Sequence, residues 1–364
     1  MSETANLNDL VQSRIEIFLA SQESILAQVG QDLTSFSLFS REFLSGGKRF
    51  RASFCYWGWN SISGASIASA DALASIVSVA AALEIFHAAA LVHDDIIDNS
   101  DTRRGAPAAH KRFEALHSAE GWVGDGDSYG RAAAVLFGDL LLGWSDELLD
   151  EGLSGCDPVT ARATRAEFVR MRTQVTAGQY LDILEERAWN TRAEDEQLER
   201  ARQVLIYKSA KYSVESPLAI GAILAGGRTE QVAALRAFGL PLGAAFQLRD
   251  DLLGVFGDSS VTGKPSGDDL LEGKRTVLVA LTRAALPPTA RRIFDELLGD
   301  PDLSPEQIAS LQATITQSGA VEKVEAMIED DVARAIAALD SAPIADEAIA
   351  SLRAMADAVS RRTS

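Results

Sequence analysis

The sequence predicts a single all-α domain over residues 1–364, built from about a dozen helices. Three observations carry that reading. Apolar residues recur at three- and four-residue spacing nearly everywhere, alternating β-branched runs are rare, and alanine and leucine are abundant. Most of the ten prolines mark loops: Pro107, Pro158, Pro265, Pro287-Pro288, Pro301, Pro305 and Pro343. Length alone would suit two domains, but no repeat and no break in composition divides the chain.

Taken in order, the elements are these. Residues 1–8 and 360–364 are expected to fray. Val11, Ile15 and Phe18 share one face of a first helix. Gly46-Gly47-Lys48-Arg49-Phe50-Arg51 opens another, followed by Tyr56, Trp57 and Trp59, which read as core. Ala72 to Val92 is apolar or small except for Glu84 and His87, and it is long enough to span a bilayer. A central Glu would cost roughly 2–3 kcal/mol there, and the run leads straight into His93-Asp94-Asp95. It reads instead as a core helix surrounded by other helices. Ser118–Gly130 and Gly257–Gly273 read as loops, and Pro217 and Pro241 as kinks or breaks within helical patterns. Near the end, Val321, Val324, Ile328 and Val332 mark a helix whose Glu322, Glu325, Glu329, Asp330 and Asp331 read as a solvated face.

Charge narrows the function. With 34 Lys+Arg against 52 Asp+Glu the net charge is −18. That argues against nucleic acid and against an anionic membrane surface as partners. Cys55 and Cys156 form neither a disulfide framework nor a zinc motif, and no signal peptide is visible, so a cytoplasmic protein with reduced thiols is expected.

The chemistry concentrates in acidic clusters. In Leu91–Gly105 (LVHDDIIDNSDTRRG), Asp94 and Asp98 lie one turn apart and Asp95 sits about 100° round the helix. Carboxylates this close repel unless a cation joins them, and Mg²⁺ takes one or two carboxylates while leaving sites for phosphate oxygens. A second pair, Asp250-Asp251 in FQLRDDLLG (246–254), ends another apolar stretch, with Gly254 where DDIID has its third Asp. Two such helices suggest a central apolar cavity with carboxylates at its mouth, suited to a diphosphate head and a hydrocarbon tail. Lys48 and Arg51 at a helix start, Arg103 and Arg104, and Lys208, Lys264 and Lys274 are the cations that could meet diphosphate.

The ordered set GGKRFR (46–51), HDDIIDNSDTRRG (93–105), GQYLD (178–182), YKSA (207–210), FQLRDDLLG (246–254), GKPSGDD (263–269) and EGKRT (272–276) resembles the trans-isoprenyl diphosphate synthases, most of all bacterial geranylgeranyl diphosphate synthases. The resemblance runs over roughly residues 10–350 and implies the isoprenoid-synthase fold. By that resemblance, Asp94, Asp98 and Asp250 would hold about three Mg²⁺ on an allylic diphosphate, Asp95 and Asp251 would support them, and Asp268 would act through metal-bound water. Arg103, Lys208, Lys264, Gln247 and Lys274 would grip that diphosphate. Gly47, Lys48, Arg51, His87 and Arg104 would bind isopentenyl diphosphate, and Gln179, Asp182 and Ser209 would line the site. A homodimer and an Mg²⁺-dependent head-to-tail condensation are the family expectation.

Residues before the first aspartate motif set product length in this family. Ala89 and Ala90 are small and Phe86 is the next bulky candidate. Moving the tunnel floor from 90 to 86 adds about 6 Å, roughly one C5 unit, which implies a C20 product. Farnesyl or longer-chain synthases, and a non-catalytic subunit of a two-component synthase, are the alternatives. A metal phosphohydrolase needs histidines near the second Asp pair, where none occurs. A terpene cyclase or head-to-head condensing enzyme has no use for the isopentenyl diphosphate residues.

Overall fold

A computed structural model describes residues 2–64, 69–103, 105–257 and 266–360, without the side chains of 2–5 and 360. It is all-α apart from one short antiparallel pair. The backbone contacts sort into two compact units, one of residues 1–165 with 221–226, the other of 166–220 with 227–364.

The first unit opens with α1 (Ser2–Val29), α2 (Thr34–Phe43), α3 (Phe50–Ser63) and α4 (Ala70–Ile97). The pair β1 (Thr102–Arg103) and β2 (Ala106–Pro107) follows, then α5 (Ala109–Ala119) and α6 (Gly126–Leu153). Helix α1 already begins at Ser2, and Leu7, Val11, Ile15 and Phe18 are buried along it. Helix α4 carries the apolar run. It is long and apolar enough to cross a membrane, yet most of it is buried inside the protein. Its main partner is α6. Small residues on α6 let the two helices approach: a Cβ at Gly138 would lie 2.4 Å from His93 Nε2, and one at Gly152 would lie 2.9 Å from Ser78 Cβ. Ser69 caps α4 by accepting the Ala72 amide at 3.2 Å, and Asp125 caps α6 through Ser128 at 2.9 Å. Phe36, Phe113 and Phe137 join α2, α5 and α6 in one aromatic cluster. Trp57 and Trp59 are buried, as expected.

The second unit takes residues 166–188 of α7 (Pro158–Ala188), then α8 (Gln197–Val204) and a π-helical segment, Leu205–Glu215. After residues 216–220 of α9 (Ser216–Leu224), whose remainder belongs to the first unit, come α10 (Thr229–Phe256) and the short α11 (Asp268–Glu272). Five helices close the unit: α12 (Val277–Ala285), α13 (Pro288–Leu297), α14 (Pro305–Gln317), α15 (Ala320–Ala338) and α16 (Asp346–Ser360). Helix α10 is the hub, packing on the π segment and on α15. Here too close approach needs glycine: a Cβ at Gly243 would lie 2.4 Å from the Ala210 carbonyl oxygen. The breaks expected at two prolines differ in kind. Pro217 stands where the π segment gives way to α9, whereas α10 runs unbroken through Pro241. The acidic face expected near the end is also only partly solvated. Glu325 pairs with Arg249 at 2.6 Å, and Asp331 is buried beside Arg334.

Candidate functional site

Two acidic clusters, one in each unit, carry most of the residues singled out by the sequence. In the first unit, Asp94 and Asp95 lie in the last turn of α4, and Asp98 closes it with its amide on the Asp94 carbonyl at 2.8 Å. Carboxylates at a helix C-terminus face the negative end of the macrodipole, so this end calls for positive charge. Part of it comes from β1. Arg103 reaches back, donating from Nε to Asp95 Oδ1 at 2.8 Å and from Nη2 to Asp94 Oδ2 at 3.4 Å. Asp95 is fully buried, while Asp94 stays partly open.

Upstream, Gly46 and Gly47 take φ of +66° and +90°, which only glycine adopts without strain, and the chain then enters α3 at Phe50. Lys48 is exposed and Arg51 half-buried at that helix start. A cavity of about 340 Å³ nearby is lined by Ser45, Arg49, Glu84, His87, Leu91 and Arg103, among others. His87 and Arg103 thus share one cavity, and Arg49 and Glu84, which the sequence reading had not assigned to the site, share it with them. Phe86 and Ala89 are buried on α4 and Ala90 is half-buried.

In the second unit Asp182 of α7 joins two ammonium groups. Lys208 Nζ of the π segment lies 2.5 Å from Asp182 Oδ2, and Lys274 Nζ lies 3.3 Å from the same oxygen and 2.9 Å from Glu186 Oε1. Gly178 makes this possible. A Cβ there would sit 2.4 Å from the backbone nitrogen of Lys208, so α7 can press on the π segment only through a glycine. Gln179 and Ser209 are half-buried close by in sequence. On α10, Gln247 Nε2 donates to Asp251 Oδ1 at 2.8 Å. Burial pushes Asp251 up to about 7, and the neighbouring charges of Asp250 and Asp182 push the same way, against Gln247 and Lys208.

Asp268 and Asp269 open α11, both half-buried. Asp269 is the acidic residue the sequence reading passed over. Its carboxylate occupies the space beside Gly254, where a Cβ would lie 2.1 Å from Asp269 Oδ2. The signal was present in the doubled Asp268-Asp269, but spacing alone did not separate the two. For Glu84 the signal was its isolation as the one charge within an apolar run. Arg104 and Lys264 lie outside the described residues.

The donor set fits magnesium. Among the described residues no three His, Cys, Asp or Glu side chains form a metal cage. Mg²⁺ held by one or two carboxylates, with water and phosphate oxygens completing its shell, needs none. Burial raises Asp251 most, and the charges of Asp250 and Asp182 add to it, so a cation at this place would meet carboxylates that favour it.

Comparison with known proteins agrees. A sequence profile of the polyprenyl synthetase family matches residues 35–315. A geranylgeranyl diphosphate synthase of Saccharolobus solfataricus is 30% identical over 299 residues, 82% of this chain and 78% of that protein. A geranylfarnesyl diphosphate synthase of Aeropyrum pernix is 30% identical over 303 residues, 83% of this chain and 86% of that one. Among solved structures, a geranylgeranyl pyrophosphate synthase of Corynebacterium glutamicum, complexed with isoprenyl diphosphate and magnesium, superposes with a TM-score of 0.91 at 39% identity, covering 98% of both chains. With the helical architecture and the aspartate clusters in place, a match over most of its length makes this chain a member of the polyprenyl synthetase family, and a prenyltransferase.

Proposed function

We propose that this prenyltransferase joins isopentenyl diphosphate head to tail to an allylic diphosphate, with geranylgeranyl diphosphate (C20) as its main product. The observation that carries the reading is the pairing of Lys208 and Lys274 on Asp182, with Asp182, Lys208 and Asp250 all acting electrostatically on Asp251. Such a set of cations and carboxylates suits a metal-bound diphosphate.

In this reading Asp94, Asp98 and Asp250 hold about three Mg²⁺, with Asp95, Asp251 and Asp268 in support; bound magnesium neutralises the diphosphate and makes it a better leaving group. Arg103, Lys208, Lys264, Lys274 and Gln247 orient the allylic diphosphate. Asp182 holds both ammonium groups in place. Gly47, Lys48, Arg51, His87 and Arg104 bind isopentenyl diphosphate, and Gln179 and Ser209 line the site. The allylic C–O bond breaks and its electron pair leaves with diphosphate. The double bond of isopentenyl diphosphate then attacks carbon 1, and a proton passes to the released diphosphate. Apolar walls keep water from the cation.

A homodimer in the cytoplasm belongs to the same reading. Val135 and Leu136 stand exposed on α6, where a second copy would cover them. The experiment is incubation of the purified chain with isopentenyl diphosphate and dimethylallyl, geranyl or farnesyl diphosphate, with Mg²⁺ or with EDTA, followed by chain-length analysis. Condensation to C20 that EDTA abolishes is expected. Full turnover in EDTA, or no condensation with any starter, overturns the reading. A main product of C15 or C25 overturns the chain-length assignment alone.

A further inference from the structure

Arg49 is one of two non-glycine residues described with positive φ, at +50°. It is also 6% exposed, an unusual place for a guanidinium. Three elements hold it. Nη2 donates to Gln12 Oε1 of α1 at 2.6 Å and to the Leu44 carbonyl at the end of α2, and Nη1 lies 3.7 Å from Glu84 Oε2 of α4. Glu84, equally buried, does a second job: its Oε1 accepts the Ala52 amide at 3.0 Å. That amide is one of the unsatisfied donors in the first turn of α3, whose own N-cap, Arg49, offers no side-chain acceptor. A carboxylate from another helix therefore caps α3 and complements its dipole.

The consequence is positional. The turn 46–49, left-handed at Gly46, Gly47 and Arg49, carries Lys48, and Arg51 follows on α3, while His87 lies one turn beyond Glu84 on α4. Glu84 ties these two parts of the site together, and Arg49, its guanidinium engaged by Gln12 and the Leu44 carbonyl, neutralises it. We propose that Arg49 and Glu84 are positioning residues for the homoallylic diphosphate, holding Lys48, Arg51 and His87 in register on one ligand. This rests on the proposed function and adds to it two residues that bind no substrate themselves.

The test uses Arg49→Lys, Glu84→Gln and the double variant Arg49→Gly/Glu84→Gln in the full chain. Gly adopts the left-handed turn freely, and Gln keeps an oxygen for the Ala52 amide while losing the charge. The expected result is a rise of about tenfold or more in KM for isopentenyl diphosphate in Glu84→Gln and the double variant, with KM for dimethylallyl diphosphate and kcat at saturation within about threefold of the parent. Arg49→Lys, which keeps the charge but not the fork, is expected to fall between. An equal rise in both KM values, or a loss of kcat alone, marks general loosening and overturns the proposal, as does no change. If the double variant fails to fold, the isosteric Glu84→Gln decides alone. Absence of condensation by the parent chain overturns the proposed function and this assignment with it, whereas condensation with unshifted KM in the variants overturns this assignment only.

Discussion

Asp269 fills the space that a side chain at position 254 would take: a Cβ on Gly254 would lie 2.1 Å from Asp269 Oδ2 and 2.5 Å from its Cγ. The second aspartate motif therefore has a carboxylate beside its third position after all, delivered from α11 rather than from α10. Alanine is a better helix former than glycine by about 1 kcal/mol, and the obstruction is the end of a side chain that can swing aside. Gly254→Ala is thus expected to leave Tm within a few degrees while displacing Asp269. A higher Mg²⁺ requirement for activity, measured by titration, is the expected signature. An unchanged Mg²⁺ dependence would show that the Asp269 carboxylate contributes nothing at this place.

Gly178 is the contrasting case. A Cβ there meets backbone, 2.4 Å from Lys208 N and 2.6 Å from the Tyr207 carbonyl carbon, so neither side can yield cheaply. Gly178→Ala is expected to lower stability by about 2 kcal/mol or more and to disturb the Lys208–Asp182 contact. Denaturant unfolding measures the first, and KM for the allylic substrate the second.

Product length tests the floor assigned to α4. Phe86→Ala removes a bulky buried side chain, and Ala90→Phe adds one about a turn closer to Asp94. Longer products from the first and shorter ones from the second are expected on chromatography. Unchanged length in both would move the floor elsewhere.

The pH dependence of stability has a clear sign at Asp331. Burial pushes its carboxyl up to about 6, Asp330 adds to this, and Arg334 and Arg202 oppose it. The folded chain thus holds this proton more tightly than the unfolded chain, whose carboxyl titrates near the ordinary value. Its contribution improves as pH falls through 6 towards 4, and above 6 the ionised group carries a constant cost. Asp331→Asn is expected to gain about 2 kcal/mol at pH 8 and almost nothing at pH 4. Thermal unfolding at the two pH values measures the difference.

Thiol reactivity should split the two cysteines. Cys55 is completely buried, and burial pushes its thiol far above the ordinary range, so little thiolate forms. Cys156 is partly exposed, with Sγ 3.5 Å from Ser75 Oγ. One equivalent reacting with a disulfide reagent in the native state, and two after unfolding, is expected.

Much of this was legible in the chain. The apolar run over α4 read as a core helix because a lone Glu and an acidic end suit a folded interior better than lipid, and it is largely buried. The first aspartate cluster was legible because four-residue spacing puts Asp94 and Asp98 on one helix face. Other features were not. Glu325 and Asp331 looked like a solvated face because an acidic stretch carries no mark of the helix that will cover it. Asp268 and Asp269 are adjacent, and only the folded chain shows that the Asp269 carboxylate lies beside Gly254 of α10.

By itself the sequence determined the helical class, the aspartate clusters and the cationic residues available to them, because periodicity and spacing act within a few residues of chain; the second pair, expected to end its helix, lies instead more than a turn inside α10. Tertiary structure decided the partnerships: Lys208 and Lys274 on Asp182, across 26 and 92 residues, and buried Arg49 against Glu84. Such pairings depend on how closely backbones pack, at Gly178 for instance, and on which charges the core leaves without water.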